Sequence, residues 1–193
     1  LMQPAFHRQK LAAIAETMTG VAARTAQTWE QAAVSGQPID IAESMAAFSL
    51  ETAGRALFGI DLAGVSKTVA RDVRTWFDHV GYLMNTPMAI PLWWPTKRNR
   101  AFKAAKAGLD RLVYEIIAER RKSSAEFHDL LALLMSAVDE DDGSGMTDVE
   151  LHDEVITLLL AGHDTASAAL SWTWYLLGRN PQIASYLQDE LDA

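Results

Sequence analysis

Apolar residues recur every three or four positions along most of the chain, which predicts a series of amphipathic helices. Gly59 stands where a left-handed helix cap is expected, and Pro87 ends the helix before it because proline disfavours helical geometry in the preceding residue. The first three predicted helices cover residues 11–35, 42–58 and 69–84.

A proline-rich segment, residues 85–96, predicts a loop after these helices. Its pair Trp93–Trp94 fits two interpretations, a substrate entrance or membrane-touching lip and a return of the aromatic rings onto the core. A fourth helix over residues 97–122 and a fifth over roughly 126–138 are predicted from the same apolar periodicity.

The sixth predicted helix is much longer than the others. Thr147 and Glu150 have the spacing of a capping box, in which each side chain bonds the other residue's backbone N–H. The pattern continues to Asn180, which is expected to cap a last helix that has Pro181 at its first position. With no strand pattern in the sequence, we expect an all-α chain.

Residues 155–177 are apolar nearly all round, as in a helix surrounded by protein. A membrane span is the competing interpretation, but His163 and Asp164 lie in mid-segment and a charge is costly at bilayer depth. We therefore expect no transmembrane segment.

Composition narrows the possible functions. The chain has 17 Lys and Arg against 25 Asp and Glu, so nucleic acid is not an expected partner. It has no cysteine, which fits a reducing compartment, and it has no signal-peptide pattern, so a cytoplasmic protein is predicted. It begins without methionine and ends inside a helical pattern, as if cut from a longer protein.

Residues 161–167, Ala-Gly-His-Asp-Thr-Ala-Ser, lie midway along the long sixth helix. They resemble the distal helix of cytochromes P450, whose pattern is Ala/Gly-Gly-x-Asp/Glu-Thr-Thr/Ser. Other segments are similar to that family in the same order: residues 1–7 to the end of its third major helix, 49–59 to a helix ending in Ala-Leu-Phe-Gly, and 95–100 with 116–121 to the loop and helix that cover the substrate.

The resemblance implies a haem cofactor and assigns roles within the sixth helix. Spacings of three and four residues place five residues on one helix face: Leu158, Ala161, Gly162, Thr165 and Ala169. Leu158, Ala161, Gly162 and Ala169 are then expected beside the flat macrocycle. The catalytic residues implied are Thr165 and Asp164, which deliver protons during oxygen activation.

Each of these polar residues also has a purely structural interpretation. Thr165 could donate to the carbonyl four residues before it, and Asp164 could be a buried carboxylate satisfied by backbone or arginine partners. His163 points away from the proposed haem face, so we expect a polar residue bonded within the helical core rather than a haem ligand.

The resemblance also shows what these 193 residues lack. There is no cysteine to serve as the axial thiolate, and by the resemblance the family's propionate-binding Trp-x-x-x-Arg segment would precede Leu1, while its Glu-x-x-Arg motif would follow Ala193. We therefore expect residues 1–193 to be a partial P450 domain, without the N-terminal part and the C-terminal cysteine loop, from an α-rich parent with a small β portion.

The implied parent is a monooxygenase that inserts one oxygen atom from O₂ into an apolar organic substrate. Its electrons would come from a protein donor, a reductase or a ferredoxin, and this chain alone is expected to be inactive. Two other classes remain open: a haem-free helical domain for ligand binding or interaction, and a truncated product without its own activity.

No metal site is predicted from this chain's own residues. Residues 139–150 have the length of a calcium loop between helices, but that loop needs glycine at its sixth position, where this chain has Ser144. A solvated acidic turn is the expected structure.

Overall fold

The computed structural model describes residues 8–62, 66–123, 125, 127, 129–138 and 144–192, with the side chains of all of these except 8–13 and 66. Within these ranges there are seven α-helices and no β-strand, and one antiparallel bridge joins Val138 to Gly145. The all-α class is therefore confirmed. The helices are α1 (Arg8–Ser35), α2 (Ile41–Phe58), α3 (Ser66–Asn85), α4 (Lys97–Lys122), α5 (Leu130–Ser136), α6 (Asp148–Arg179) and α7 (Pro181–Leu191).

Side chains cap the starts of three helices, and one of these caps, Thr147, was predicted from the sequence. The side chains of Asp40, Thr96 and Thr147 accept backbone N–H groups at the starts of α2, α4 and α6. In α6 the predicted capping box is present, because the Glu150 carboxylate accepts the Thr147 N–H at 2.8 Å while Thr147 Oγ1 accepts the Glu150 N–H at 3.3 Å. The pKa of the Glu150 carboxyl is lowered mainly by the hydrogen bond from the Thr147 N–H and to a smaller extent by the bond from the Thr147 hydroxyl.

Helix ends agree less uniformly with the sequence. Gly59 adopts φ of 62° after α2, as predicted, and its N–H reaches the carbonyl of Arg55. Asn180 occupies the cap position before Pro181, but its side chain makes no cap bond to α7. Its side chain instead donates to the Leu176 carbonyl at 2.8 Å, so the predicted cap position and Pro181 at the start of α7 are confirmed but the side-chain cap bond is wrong.

The fifth helix is shorter than predicted. A start near residue 126 is wrong, because Asp129 is in an extended conformation and its side chain accepts the Ala132 N–H at 2.9 Å. A residue that caps in this way stands just outside the helix, so α5 begins at Leu130. It ends at Ser136, before Val138.

The core lies where α6 packs against α2 and α4, with α5 closing one end and α3 packed against α4. The helices α3 and α4 are antiparallel, because Asp72 lies near Gly108, Trp76 contacts Phe102 and Tyr82 contacts Arg98. The side chains with almost no exposed surface are Val21, Leu50, Phe58, Val73, Leu109, Val113, Ile117, Leu131, Leu134, Leu151, Val155 and Leu159.

Burial of α6 is confined to its first half. Leu151, Val155 and Leu159 are at most 2% exposed, whereas no described residue of α6 beyond His163 is buried. Within the described chain, all-round burial of residues 155–177 is therefore not seen in the second half, where Trp172 is 63% exposed. None of the described helices has an apolar stretch long enough to cross a bilayer.

One ionic contact ties three elements together near the end of α2. Arg120 of α4 donates to Asp129 Oδ2 at 2.7 Å and to the carbonyl oxygen of Phe58. Gly59 is constrained by the same contact, since a Cβ on it would lie 2.5 Å from Asp129 Oδ2. The side chains of Arg120 and Asp129 are only 7% and 12% exposed, so the pair is largely removed from water.

Replacement of Arg120 by methionine is expected to lower the free energy of unfolding by about 3 kcal/mol, because it leaves a buried carboxylate without its partner. The measurement is urea unfolding of the purified protein. Arg121→Met is the matched control: Arg121 pairs with Asp148 at 2.6 Å, but both side chains are about half exposed. Its loss should cost less than about 1 kcal/mol. Equal losses in the two variants would contradict the importance of the buried pair.

Candidate functional site

Five residues of α6 form a continuous face that we call the α6 stripe: Leu158, Ala161, Gly162, Thr165 and Ala169. The helix is regular over this length, so successive residues turn by about 100° and these five remain within one side of it. Leu158 is half-buried and the other four are exposed. The structure thus brings together the predicted residues of this face and leaves their surface open.

Gly162 keeps that surface flat. A Cβ added to it would meet no atom within 4 Å, so packing inside the described chain does not require glycine at this position. A flat group lying against the helix could therefore approach the backbone at Ala161 and Gly162 more closely than it could past larger side chains.

Thr165 differs from the other hydroxyl residues of α6. Four of them donate to carbonyl oxygens three or four residues earlier: Thr157, Ser167, Ser171 and Thr173, at 2.6–3.0 Å. Within the described part of the chain, Thr165 makes no such bond, so the helix-internal interpretation of its hydroxyl is not what the structure shows. Its hydroxyl is free to donate to, or accept from, a group on the stripe.

Asp164 lies beside the stripe and is exposed. No arginine or lysine among the described residues pairs with its carboxylate. Within the described residues its carboxylate is therefore neither buried nor paired with arginine. An exposed carboxylate next to Thr165 can exchange protons with water.

His163 faces away from the stripe, as the spacing predicted, and is 3% exposed. Burial lowers the pKa of its imidazole, and the neighbouring Asp164 charge offsets part of that effect. The expected hydrogen bond within the core is not formed, because Nδ1 has no partner among the described residues. A neutral ring that is turned away from the stripe does not fit the role of a ligand to a group bound there.

Ser49 of α2 positions the stripe from behind. Its hydroxyl donates to the carbonyl oxygen of His163 at 2.9 Å and lies 3.5 Å from that of Gly162. Sequence reasoning gave Ser49 no role. The available signal was a small polar residue within the apolar positions of α2, and such a residue needs a partner when buried.

A haem would fit one side of this surface. The stripe offers small side chains, an unobstructed backbone and one free hydroxyl, which are the features that allow a flat macrocycle to lie against a helix. An axial thiolate cannot come from these 193 residues, which include no cysteine. Among the described residues, no group of three or more His, Asp or Glu could hold a metal ion.

The sequence also made predictions for the Trp93–Trp94 loop and for the acidic loop, which the structure describes only in part. Trp93 and Trp94 are 71% and 55% exposed, so they do not return to the core. The Asn99 amide holds their loop by donating to the carbonyls of Pro91 and Trp94. Residues 139–143 of the acidic loop, like residues 1–7, lie outside the described ranges, while Glu150 at the end of that loop is engaged in the capping box.

Comparison with curated proteins gives relatives that cover the whole chain. It is 35% identical to cyclooctatin synthase and 34% identical to cyclooctat-9-en-7-ol 5-monooxygenase, both from Streptomyces melanosporofaciens. It is 32% identical to pentalenene oxygenase from Streptomyces avermitilis. The chain spans 41–42% of the length of these three relatives.

A solved structure is also similar over most of the chain. The crystal structure of the cytochrome P450DA haem domain superposes with a TM-score of 0.77 at 28% identity, over 95% of this chain and 39% of that one. The family model for cytochrome P450 matches residues 1–193. With its uninterrupted α6, its open stripe and this match over its full length, the chain belongs to the cytochrome P450 family.

Proposed function

We propose that residues 1–193 are part of a haem-dependent monooxygenase that inserts one oxygen atom from O₂ into an apolar organic substrate. The observation that carries the proposal is the α6 stripe, an open surface of small residues with the unengaged hydroxyl of Thr165 at its centre. Two relatives, cyclooctat-9-en-7-ol 5-monooxygenase and pentalenene oxygenase, are named for oxygenation, which supports the reaction class.

The cofactor would lie against the stripe. Leu158 and Ala169 would contact its edges, and Ala161 and Gly162 would let it approach the helix backbone. Haem, when bound, supplies the redox chemistry that activates O₂. The axial cysteine would come from a part of the domain outside these residues, so the haem site needs more than this chain.

Thr165 and Asp164 would manage protons on this side of the site. The Thr165 hydroxyl can hold a proton in place because no helix carbonyl competes for it. The exposed Asp164 carboxylate can take protons from water and pass them towards the stripe. The two roles differ: Thr165 positions a proton, whereas Asp164 supplies one.

The remaining parts of the proposal concern the complete protein. A reductase or a ferredoxin would deliver electrons, and the substrate would reach the stripe from the side of the exposed Trp93–Trp94 loop. The absence of cysteine supports a location in the cytoplasm.

In the complete enzyme, Thr165→Ala should leave haem and substrate binding nearly intact but reduce the fraction of reducing equivalents that reach product. Loss of a positioned donor removes assistance that is typically worth about 10²–10⁴-fold, so partly reduced oxygen escapes as peroxide. The measurement is product formed and peroxide released per reduced nicotinamide consumed.

Thr173→Ala is the matched control for this variant, because Thr173 lies on the same helix but its hydroxyl already donates to Ala169. It should keep wild-type coupling. If Thr165→Ala does so too, the hydroxyl has no catalytic role.

Asp164→Asn should slow overall turnover by about 10²-fold or more without raising peroxide release, because an amide cannot relay a proton. It should also increase the solvent deuterium isotope effect on turnover. Asp189→Asn, at an exposed carboxylate of α7, should change neither quantity. An unchanged isotope effect in Asp164→Asn would argue against proton supply through this residue.

The isolated chain, supplied with haem, dithionite and carbon monoxide, should not give the absorbance of a thiolate-ligated ferrous carbonyl, since it has no cysteine. It should also show no monooxygenase turnover. Either signal from pure material would mean that the chain does not depend on the rest of a P450 domain.

A further inference from the structure

Helix α2 buries two hydroxyl groups, those of Ser49 and Thr52, which belong to residues only 4% and 8% exposed. The two residues are three positions apart, so they lie on the same side of the helix. Thr52 Oγ1 has no hydrogen-bond partner among the described residues, whereas the Ser49 hydroxyl donates to the carbonyl oxygen of His163 in α6 at 2.9 Å. Of these two similar groups, one therefore links α2 to α6 by a hydrogen bond and the other does not.

The Ser49 hydroxyl meets α6 where side-chain packing holds the backbone least. It also lies 3.5 Å from the carbonyl oxygen of Gly162, a residue with no side chain and with no atom within 4 Å of its Cβ position. Among the described residues, no other side-chain hydrogen bond joins α2 to α6. The restraint on this short piece of backbone from α2 thus depends on one hydroxyl group.

Burial of α6 ends at the same place. Leu159 and His163 are 2% and 3% exposed, and no described residue of the helix beyond His163 is buried. The hydrogen bond from Ser49 therefore lies at the boundary between the buried first half of α6 and its exposed second half. Thr165 stands two residues past that boundary, on the exposed side.

The location of the Thr165 hydroxyl depends on the backbone that carries it. Within the described chain this hydroxyl makes no bond to a helix carbonyl, so its side chain has no anchor of its own on α6. A helix is stiff over one turn, and a shift of the backbone at Gly162 and His163 would therefore move Thr165 as well. A misplacement of about 1 Å in a reacting group can cost about 10²-fold in rate.

We propose that Ser49 is a positioning residue for the proton delivery assigned to Thr165. Its hydroxyl holds the carbonyl oxygen of His163 and so sets how far the α6 stripe stands from a group bound on it. Ser49 does not touch that group, because it meets α6 at a residue that faces away from the stripe. The inference rests on the function proposed for the stripe, and it adds a residue of α2 to that function.

In the complete enzyme loaded with haem, Ser49→Ala should lower the product formed per reduced nicotinamide consumed by about threefold to tenfold, because the donor is displaced but not removed. Peroxide release should rise, while haem content and the substrate dissociation constant should stay at their wild-type values. Alanine is the residue best tolerated inside a helix, so the variant is expected to fold.

Thr52→Val is the matched control. It also removes a buried hydroxyl from the same side of α2, but one without a partner among the described residues. It should keep wild-type coupling, and its unfolding temperature should be unchanged or higher.

A double-mutant cycle distinguishes positioning of Thr165 from a general loosening of the fold. If Ser49 acts through Thr165, Ser49→Ala should lower coupling in the wild-type background and have no further effect in the Thr165→Ala background. A second readout needs no turnover: the carbon monoxide stretching band of the ferrous carbonyl complex should shift in Ser49→Ala and stay in place in Thr52→Val.

The possible results separate this inference from the function on which it rests. Wild-type coupling and an unshifted band in Ser49→Ala, with lowered coupling in Thr165→Ala, overturn the role of Ser49 alone. The role of Ser49 is also overturned if the two losses multiply in the double variant, or if Thr52→Val loses as much coupling as Ser49→Ala. Wild-type coupling in Thr165→Ala overturns both proposals.

Discussion

The two halves of α6 have different surroundings, and the candidate site depends on how firmly the first half is held. Leu151, Val155 and Leu159 fill the interface with α2 and α4, and loss of a buried leucine side chain typically costs about 2–5 kcal/mol. If α6 turned about its axis by one residue, these side chains would become exposed and His163 would take the place of Gly162 on the stripe. The direction of the stripe is therefore fixed by packing earlier along the helix, where Leu151 and Val155 stand seven residues before Leu158 and Gly162 on the same face.

The hydrogen bond from Ser49 further restricts the position of α6 relative to α2. Apolar contacts resist rotation but allow small shifts along the helix axis, whereas a hydrogen bond of 2.9 Å to one carbonyl sets the register between α2 and α6. That carbonyl belongs to His163, one residue after Gly162. The backbone at the most open part of the stripe is thus held from behind, and the exposed side stays free for a ligand.

Local chemistry explains which features could be predicted from the sequence. The start of α6 was predicted from Thr147, a side chain that acts on a backbone group three residues away, and Thr96 caps the start of α4 in the same way. The common face of the stripe follows from helical spacing alone. The start of α5 could not be predicted in this way, because Asp129 also pairs with Arg120, and apolar periodicity does not reveal which polar residue will cap.

Contacts between distant residues account for the other differences. Ser49 and His163 are 114 residues apart in the sequence, and nothing near either residue indicates the other. Periodicity also cannot show what covers a helix: residues 155–177 have one apolar pattern, yet only the part up to His163 is buried in the described chain. The sequence near Asp164 likewise does not show whether a cation pairs with its carboxylate, because tertiary structure must bring such a partner close.

The buried imidazole of His163 links the orientation of α6 to proton uptake. Its pKa in the folded chain lies below the ordinary value of 6.5, so at lower pH the unfolded chain binds a proton that the folded chain resists. The ring is neutral in both states above about pH 6.5 and does not affect stability there, whereas stability falls progressively as the pH drops below that value. Asp164 moderates this loss, because its charge raises the pKa of His163. Mild acid therefore weakens the α2–α6 interface. The α6 stripe, which includes alanine, glycine and threonine, has no titratable group of its own, so acid would affect it through His163.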